Sequence, residues 1–406
     1  MVTFEAMSDS GTVAPAGGGR PGTDEQTGER RVGVLELFFD LVFVLAITQV
    51  TAYLASHLNW LGVAEGLIIL GLMWWAWVGY SWLTNSVDSD DVLTRLTIFT
   101  AMAGLVVVAL AMPGAFGDEA LLMACAYGLV RAMQVGLYAY GTDHDDPNHG
   151  AILKLAPGFM FSSLLLIVGA LVGGDAQLWI WLAALLIDVA TPFIFDTDTS
   201  EFRVHAGHFA ERHGLIVIIA LGESIVALGA AASGQPLDFA LVAGVVMGVG
   251  IAASLWWTYF DVTAVAAEHR LASVDPAARA RLARDAYSVI HLPMIAGVVL
   301  LALGLKKSLG HADHHLELIP ALALVGGPAL YLLGLVAFRY RNIGTIGWPR
   351  LSAAVLLLVL LPVALAVPAL AAVGLVFAVV GFLVAYEAIS FAEVRREVRD
   401  RTASGG

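Results

Sequence analysis

The sequence predicts an all-α fold, a polytopic integral membrane bundle of about twelve transmembrane helices. Three observations lead there. Of the 406 residues, 59% are hydrophobic and 14% charged, whereas soluble globular chains carry about 25% charged residues. Mean hydropathy is +0.82. From Arg31 onward, apolar runs alternate with short polar breaks, and most runs approach the roughly 20 residues a helix needs to cross a bilayer. A soluble fold is excluded. The single cysteine, Cys125, lies in an apolar run, which excludes disulfide frameworks, Cys-rich zinc sites and iron–sulfur clusters.

Residues 1–30 are rich in Gly, Ser and Pro without apolar periodicity, and read as a disordered tail lacking a signal-peptide pattern. The first span, 33–55, opens with two acids. The second, 60–83, holds the run WWAWVGYSW (74–82), which fits an interfacial aromatic belt or, in a second reading, a pocket wall. The third and fourth are 92–114 and 118–140, with Arg131 well inside the fourth. Spans 152–173 and 177–196 complete a first half, 31–196, followed by a linker, 197–207. The seventh span, 208–231, carries Glu223. The eighth and ninth, 236–262 and 282–305, flank the stretch 266–284, an amphipathic basic segment expected to lie on anionic lipid. Spans 316–338, 350–367 and 369–392 complete a second half, 208–392. Only Pro362 and Pro368 mark the break between the last two, and a basic tail, 393–406, ends the chain.

Twelve spans sort the basic residues sharply. Eighteen Lys and Arg fall on the N-terminal side, only Lys306 and Lys307 fall opposite, and Arg131 stays within a span. Short cytoplasmic loops collect Lys and Arg, so both termini are expected in the cytoplasm, and an odd number of spans would scramble the separation. The net charge of −13 argues against a nucleic-acid partner. The halves also resemble each other. AGLVVVALA (103–111) matches AGVVLLALG (296–304), and Trp74-Trp75 matches Trp256-Trp257. Glu36 and Glu211 are each followed twelve and thirteen residues later by a polar pair, Thr48-Gln49 and Glu223-Ser224. A 6+6 parallel repeat would place a site between the halves.

Ionisable groups at membrane depth are functional candidates by default. Glu36 and Asp40 share one helix face. They form either a proton- or cation-handling carboxylate pair or a salt-bridge site for arginine. His208 and Arg212 are likewise one turn apart, so the two helix openings are expected to pair. His208-x-x-Glu211 is a weak metal pattern, and an interhelical salt-bridge network is the plainer reading. Glu223 lies about 18 Å of helix rise beyond Glu211, near the middle of a core about 30 Å thick. There a carboxyl is protonated, paired or facing a hydrated cavity. Arg131 reaches similar depth, so the two are expected to face one cavity with Gln49, Thr48 and Ser224. Asp188, Asp196, Asp261, Asp285 and Glu387 join Glu36, Asp40 and Glu211 in a vestibule ring opposite Arg95, Arg284, Arg212 and Arg339, or simply mark span ends. His291 reads as a proton relay or a satisfied buried histidine. Loops 311–315 and 143–149 are rich in Asp and His but read as solvated, and no metal or cofactor site is expected. Walker, G-x-S-x-G and H-E-x-x-H motifs are absent from the sequence, leaving ATP-driven pumping and common hydrolysis unsupported.

ELFFDLVFVLAITQ (36–49) and HFAERHGLIVIIALGESI (208–225) resemble the bacterial low temperature requirement A (LtrA) family. The likeness spans about 33–392, and its pattern falls on Glu36, Phe38, Asp40, His208, Glu211, Arg212 and Glu223. It implies a multi-pass bacterial inner-membrane protein linked to cold growth, with lipid as its surroundings and no assigned reaction. The span plan and midplane acid favour a secondary transporter for a small solute, coupled to protons, rather than an enzyme. The alternatives are a non-catalytic stress sensor or scaffold and a membrane-embedded enzyme.

Overall fold

A computed structural model of the chain describes residues 32–87, 91–194 and 202–390. The expected tails and Asp196 lie outside the described residues. The helices of the first half are α1 Val34–Ser56, α2 Trp60–Ser86, α3 Val92–Ala111, α4 Ala120–Gly141, α5 Pro147–Val172 and α6 Gly174–Ile194. Those of the second are α7 Ala206–Ala232, α8 Phe239–Phe260, α9 Thr263–Ser273, α10 Pro276–Leu282, α11 His291–Gly310 and α12 Leu318–Ile343, with α13 Trp348–Val359, α14 Leu361–Ala366 and α15 Ala369–Ser390. A π-helical segment, Ala283–Val289, joins α10 to α11. Twelve stretches are long and apolar enough to cross a membrane, with α8–α9, α10–α11 and α13–α14 each forming one of them. Among the described residues there are no strands, only an isolated bridge between His315 and Pro368.

Polar side chains set many helix starts. Asn59, Asp91, Asp146, Asp238 and Asp275 each accept a backbone N–H of the turn that follows, satisfying donors that a helix start otherwise leaves without partners. Within the bundle, α1 packs on α2 and α3, α2 on α6, α3 on α4, α4 on α5 and α5 on α6. In the second half α7 packs on α8 and α11, α8 on α15, α11 on α12, and α12 on α13 and α14, which both pack on α15. The order of neighbours is the same in each. The halves meet chiefly where α1 touches α7 and α11 and where α2 touches α7. Large apolar side chains such as Phe38, Leu41, Trp179, Leu186, Phe239 and Phe382 point outward. So much exposed apolar surface needs lipid to cover it.

Two expectations change. The basic segment 266–284 does not turn its apolar face to lipid. Ala267, Leu271, Ala280 and Leu282 are buried in a small cluster with Val204, Phe209, Tyr287 and Phe338. Arg279 donates to the carbonyls of Leu271, Ala272 and Val274 and so ties α9 to α10. Amphipathic spacing specifies a face, and here the bundle end claims it. The tryptophan run is not an interfacial belt either, because Trp74, Trp75 and Trp77 are buried. Trp74 Nε1 donates to the Ser288 carbonyl, and Trp82 Nε1 donates to Ser288 Oγ.

The tightest contact joins α11 to α12. A Cβ on Gly297 would meet the Gly327 carbonyl and the Tyr331 backbone, and a Cβ on Gly327 would meet the Gly297 carbonyl and the Leu301 backbone. Close backbone approach through small residues is how membrane helices gain packing energy without a hydrophobic drive between them. Because backbone cannot yield as a side chain does, Gly327→Val should lower stability by about 1–3 kcal/mol. Gly222→Ala, into open space on α7, should be close to neutral. Thermal unfolding of both variants in detergent checks the contrast, and equal melting would refute it.

Candidate functional site

Helices α1 and α7 run side by side in the same direction, which two sets of contacts establish. Near their starts, His208 Nε2 lies 2.8 Å from Glu36 Oε2 and Arg212 Nη2 lies 2.5 Å from Asp40 Oδ1. Further along, Thr48 Oγ1 donates to Glu223 Oε2 at 2.5 Å. The expected pairing of the two helix openings is present. Glu36 Oε2 also accepts the backbone N–H of Gly33, closing the start of α1, and Arg212 Nη1 stands 3.7 Å from Glu36 Oε1.

A second layer holds these groups. Trp77 Nε1 donates to Asp40 Oδ1 at 2.9 Å, Arg212 Nη1 donates to Thr84 Oγ1 at 2.8 Å, and the guanidinium lies 5.5 Å from the Trp77 ring centre. Glu36, Asp40, His208 and Arg212 are all buried. A buried charge left alone costs several kcal/mol, so the four side chains stand or fall together. Yet Glu36 Oε1, Asp40 Oδ2, His208 Nδ1, Arg212 Nε and, one residue on, His213 Nε2 make no hydrogen bond among the described residues. His213 stacks edge-on to Trp77 and lies 5.3 Å from the His291 ring. His291 accepts from Tyr259 and bonds the Ala286 carbonyl, which is the satisfied-histidine reading.

The remaining candidates divide. Glu223 does not pair with Arg131. The Arg131 partner is Asp188, with Nη2 to Oδ1 at 2.8 Å and both side chains fully buried. Tyr127 donates to the same carboxylate, and Arg131 Nη1 donates to Gln134. Both helices of that pair, α4 and α6, belong to the first half, so the pair does not bridge the halves. Ser224 Oγ is buried and makes no hydrogen bond among the described residues, and Gln49 is half-buried. Glu211 is exposed and accepts the Val32 N–H. The expected ring of acids resolves into separate pairs, Asp285 with Arg284 and Arg341 and Glu387 with Arg350. Asp146 caps α5 and His149 contacts Thr142 Oγ1, while loop 311–315 lends backbone carbonyls to the start of α15. Thr84 and Gln134 were overlooked in sequence, and Trp77 stood out only as part of the run 74–82. Trp77 alone carried a signal, since its N–H demands an acceptor once the ring is buried.

The twelve spans and this buried interhelical charge cluster define a multi-pass helical membrane protein with an ionisable core. The family model for "Bacterial low temperature requirement A protein (LtrA)" matches residues 31–385, and the chain belongs to that bacterial family. A relative from Rhizobium meliloti (strain 1021), "Uncharacterized protein RA0937", is 30% identical over 327 residues, covering 76% of this chain and 77% of its own. No solved structure matches the chain.

If the cluster is one unit, removing both charges should cost less than the sum of removing each alone. Asp40→Asn and Arg212→Gln should each cost about 3–5 kcal/mol. The double variant should recover part of that sum, with a coupling of about 0.5–3 kcal/mol. A double-mutant cycle of unfolding in detergent measures it, and strict additivity would dissolve the unit.

Proposed function

We propose that the protein is a secondary transporter of a small solute, coupled to protons, with both termini on the cytoplasmic side of the bacterial inner membrane. The observation that carries this reading is the α1–α7 contact. One seam between the halves holds a charge cluster at its arginine-rich end and the Glu223–Thr48 bond deeper in. The matching neighbour order of the two halves supports a parallel repeat, and transporters of that plan rock one repeat against the other around a buried site. In this reading Glu36, Asp40, His208 and Arg212 latch the cytoplasmic end. Charge-assisted bonds of this kind hold strongly when buried and exchange readily for water once a seam opens. Glu223 is the coupling group, because an ionised carboxylate can only accept from Thr48, whereas a protonated one can also donate. Proton loading therefore changes which bonds the seam can make.

A second reading, a non-catalytic stress sensor or scaffold, is favoured by one fact. Glu223 already has a hydrogen-bond partner within the bundle, the Thr48 hydroxyl. In that reading the seam is permanent. Uptake into proteoliposomes under an imposed pH gradient, across a panel of small solutes, separates the two. The transporter reading expects gradient-driven uptake of at least one solute and a loss of at least tenfold in Glu223→Gln. Equal uptake by Glu223→Gln would strip Glu223 of its coupling role. Absence of uptake for every solute, together with an α1–α7 disulfide that leaves in vivo function intact, would favour the scaffold.

A further inference from the structure

A groove of about 450 Å³ runs along α7 where α8 and α9 meet it. That volume lies within the range of small-molecule sites, roughly 300–1,000 Å³. Gly207, Glu211, Gly214 and Ile218 all line it, and their spacing puts them on one helix face. The face adjoins the one that carries His208 and Arg212, so the groove is distinct from the α1–α7 seam.

The two ends of the groove differ chemically. At the start of α7 stand two carboxylates, Glu211, which is exposed, and Glu268 of α9, which is half-buried. A Cβ on Gly207 would lie 3.4 Å from Glu268 Oε1, which fixes that carboxylate over α7, one turn before Glu211. Among the described residues, no basic side chain lines the groove. Further along α7, about 10 Å of helix rise beyond Glu211, the lining becomes apolar with Leu215 and Ile218. Ile218 is itself exposed, so this end opens toward lipid. Between the ends stands the Phe260 ring, 3.3 Å from where a Cβ on Gly214 would lie, and an aromatic face attracts a cation.

An independent observation comes from the inner wall, where Tyr287 of the π-helical segment lines the groove. Phe209, His213, His291 and Phe338 pack around its ring. Its buried hydroxyl nevertheless makes no hydrogen bond among the described residues. Glu268 is near enough for its charge to act on that hydroxyl, so the hydroxyl is turned to the acidic end. A buried polar atom without a partner is uncommon and calls for a cause such as a bound ligand. The phenol oxygen and both carboxylates are acceptors, and a primary ammonium offers three donors.

We propose that this groove binds a lipophilic primary ammonium cation, its head between Glu211 and Glu268 and its alkyl chain along Phe260, Leu215 and Ile218. A phospholipid amine has the same head, but it would bring a phosphate beside two carboxylates with no base to meet it, a like-charge contact that disfavours it. The claim concerns binding and does not rest on the transporter reading.

Isothermal titration of the purified full chain in detergent tests it with octylammonium, octanol and octanesulfonate, which share a chain and differ in charge. Octylammonium should bind, octanol at least tenfold more weakly, and octanesulfonate not measurably. Glu211→Gln and Glu268→Gln, at side chains that are not buried, should each weaken octylammonium about fivefold. The double variant should erase its preference over octanol. Val265→Trp, at a lining position of α9, fills the groove, leaves both carboxylates in place and should abolish binding. Phosphatidylethanolamine added to the micelles should leave the affinity unchanged. Four results would each overturn the proposal: no binding of octylammonium to the wild-type chain, equal binding of the three probes, a charge preference that survives the double variant, or displacement by phosphatidylethanolamine.

Discussion

Charge that cannot reach water is the constraint on which the rest of this structure depends. In a hydrocarbon core an unpaired ion costs several kcal/mol, so each buried charge draws a particular helix toward it. Arg212 pulls α7 against α1 through Asp40 and Glu36, and Arg131 pulls α4 against α6 through Asp188. Arg350 does the same between α13 and α15 through Glu387. These three arginines act as pins across helix pairs whose apolar surfaces alone would slide in lipid with little preference. The pins differ in one respect that matters for function. Arg131 and Arg350 each join helices of the same half, whereas Arg212 joins the two halves.

What the sequence disclosed follows the same physics. Span number was legible because apolar length has no other use in a chain of this composition. The Glu36–Asp40 and His208–Arg212 pairing was legible because both pairs sit one turn apart on one face and at one depth, leaving little freedom in how they meet. The Arg131 partner was not. Depth places a residue along a helix axis but says nothing about which neighbour its side chain faces, and Asp188 and Glu223 are both acids within spans. Only the packing of α4 against α5 and α5 against α6 puts Asp188 within reach. The tryptophan run and the 266–284 segment misled for a related reason. An amphipathic face or an indole N–H states a need for apolar surface or an acceptor, and lipid headgroups or protein can meet either. Here Asp40 and Ser288 meet it from within the bundle.

The polar atoms that stay unmatched around the seam are informative in their own right. Buried donors and acceptors without partners are uncommon and usually mark bound water, a ligand or stored strain. On the seam they gather at Glu36, Asp40, His208, Arg212 and His213, all within or beside one cluster.

The halves share an order of neighbours but not a texture, and this bears on which of them moves. In the second, α11 and α12 touch backbone to backbone through Gly297, Gly304 and Gly327, a contact with no side chains to rearrange. In the first half, α3 and α4 approach at Gly104 only through a valine side chain, Val130. Packed interiors change between discrete arrangements rather than by continuous deformation, so a half locked by glycine contacts behaves as a rigid body. The α11–α12 contact is therefore fixed by backbone, which cannot yield, whereas the α3–α4 contact rests on a side chain, which can.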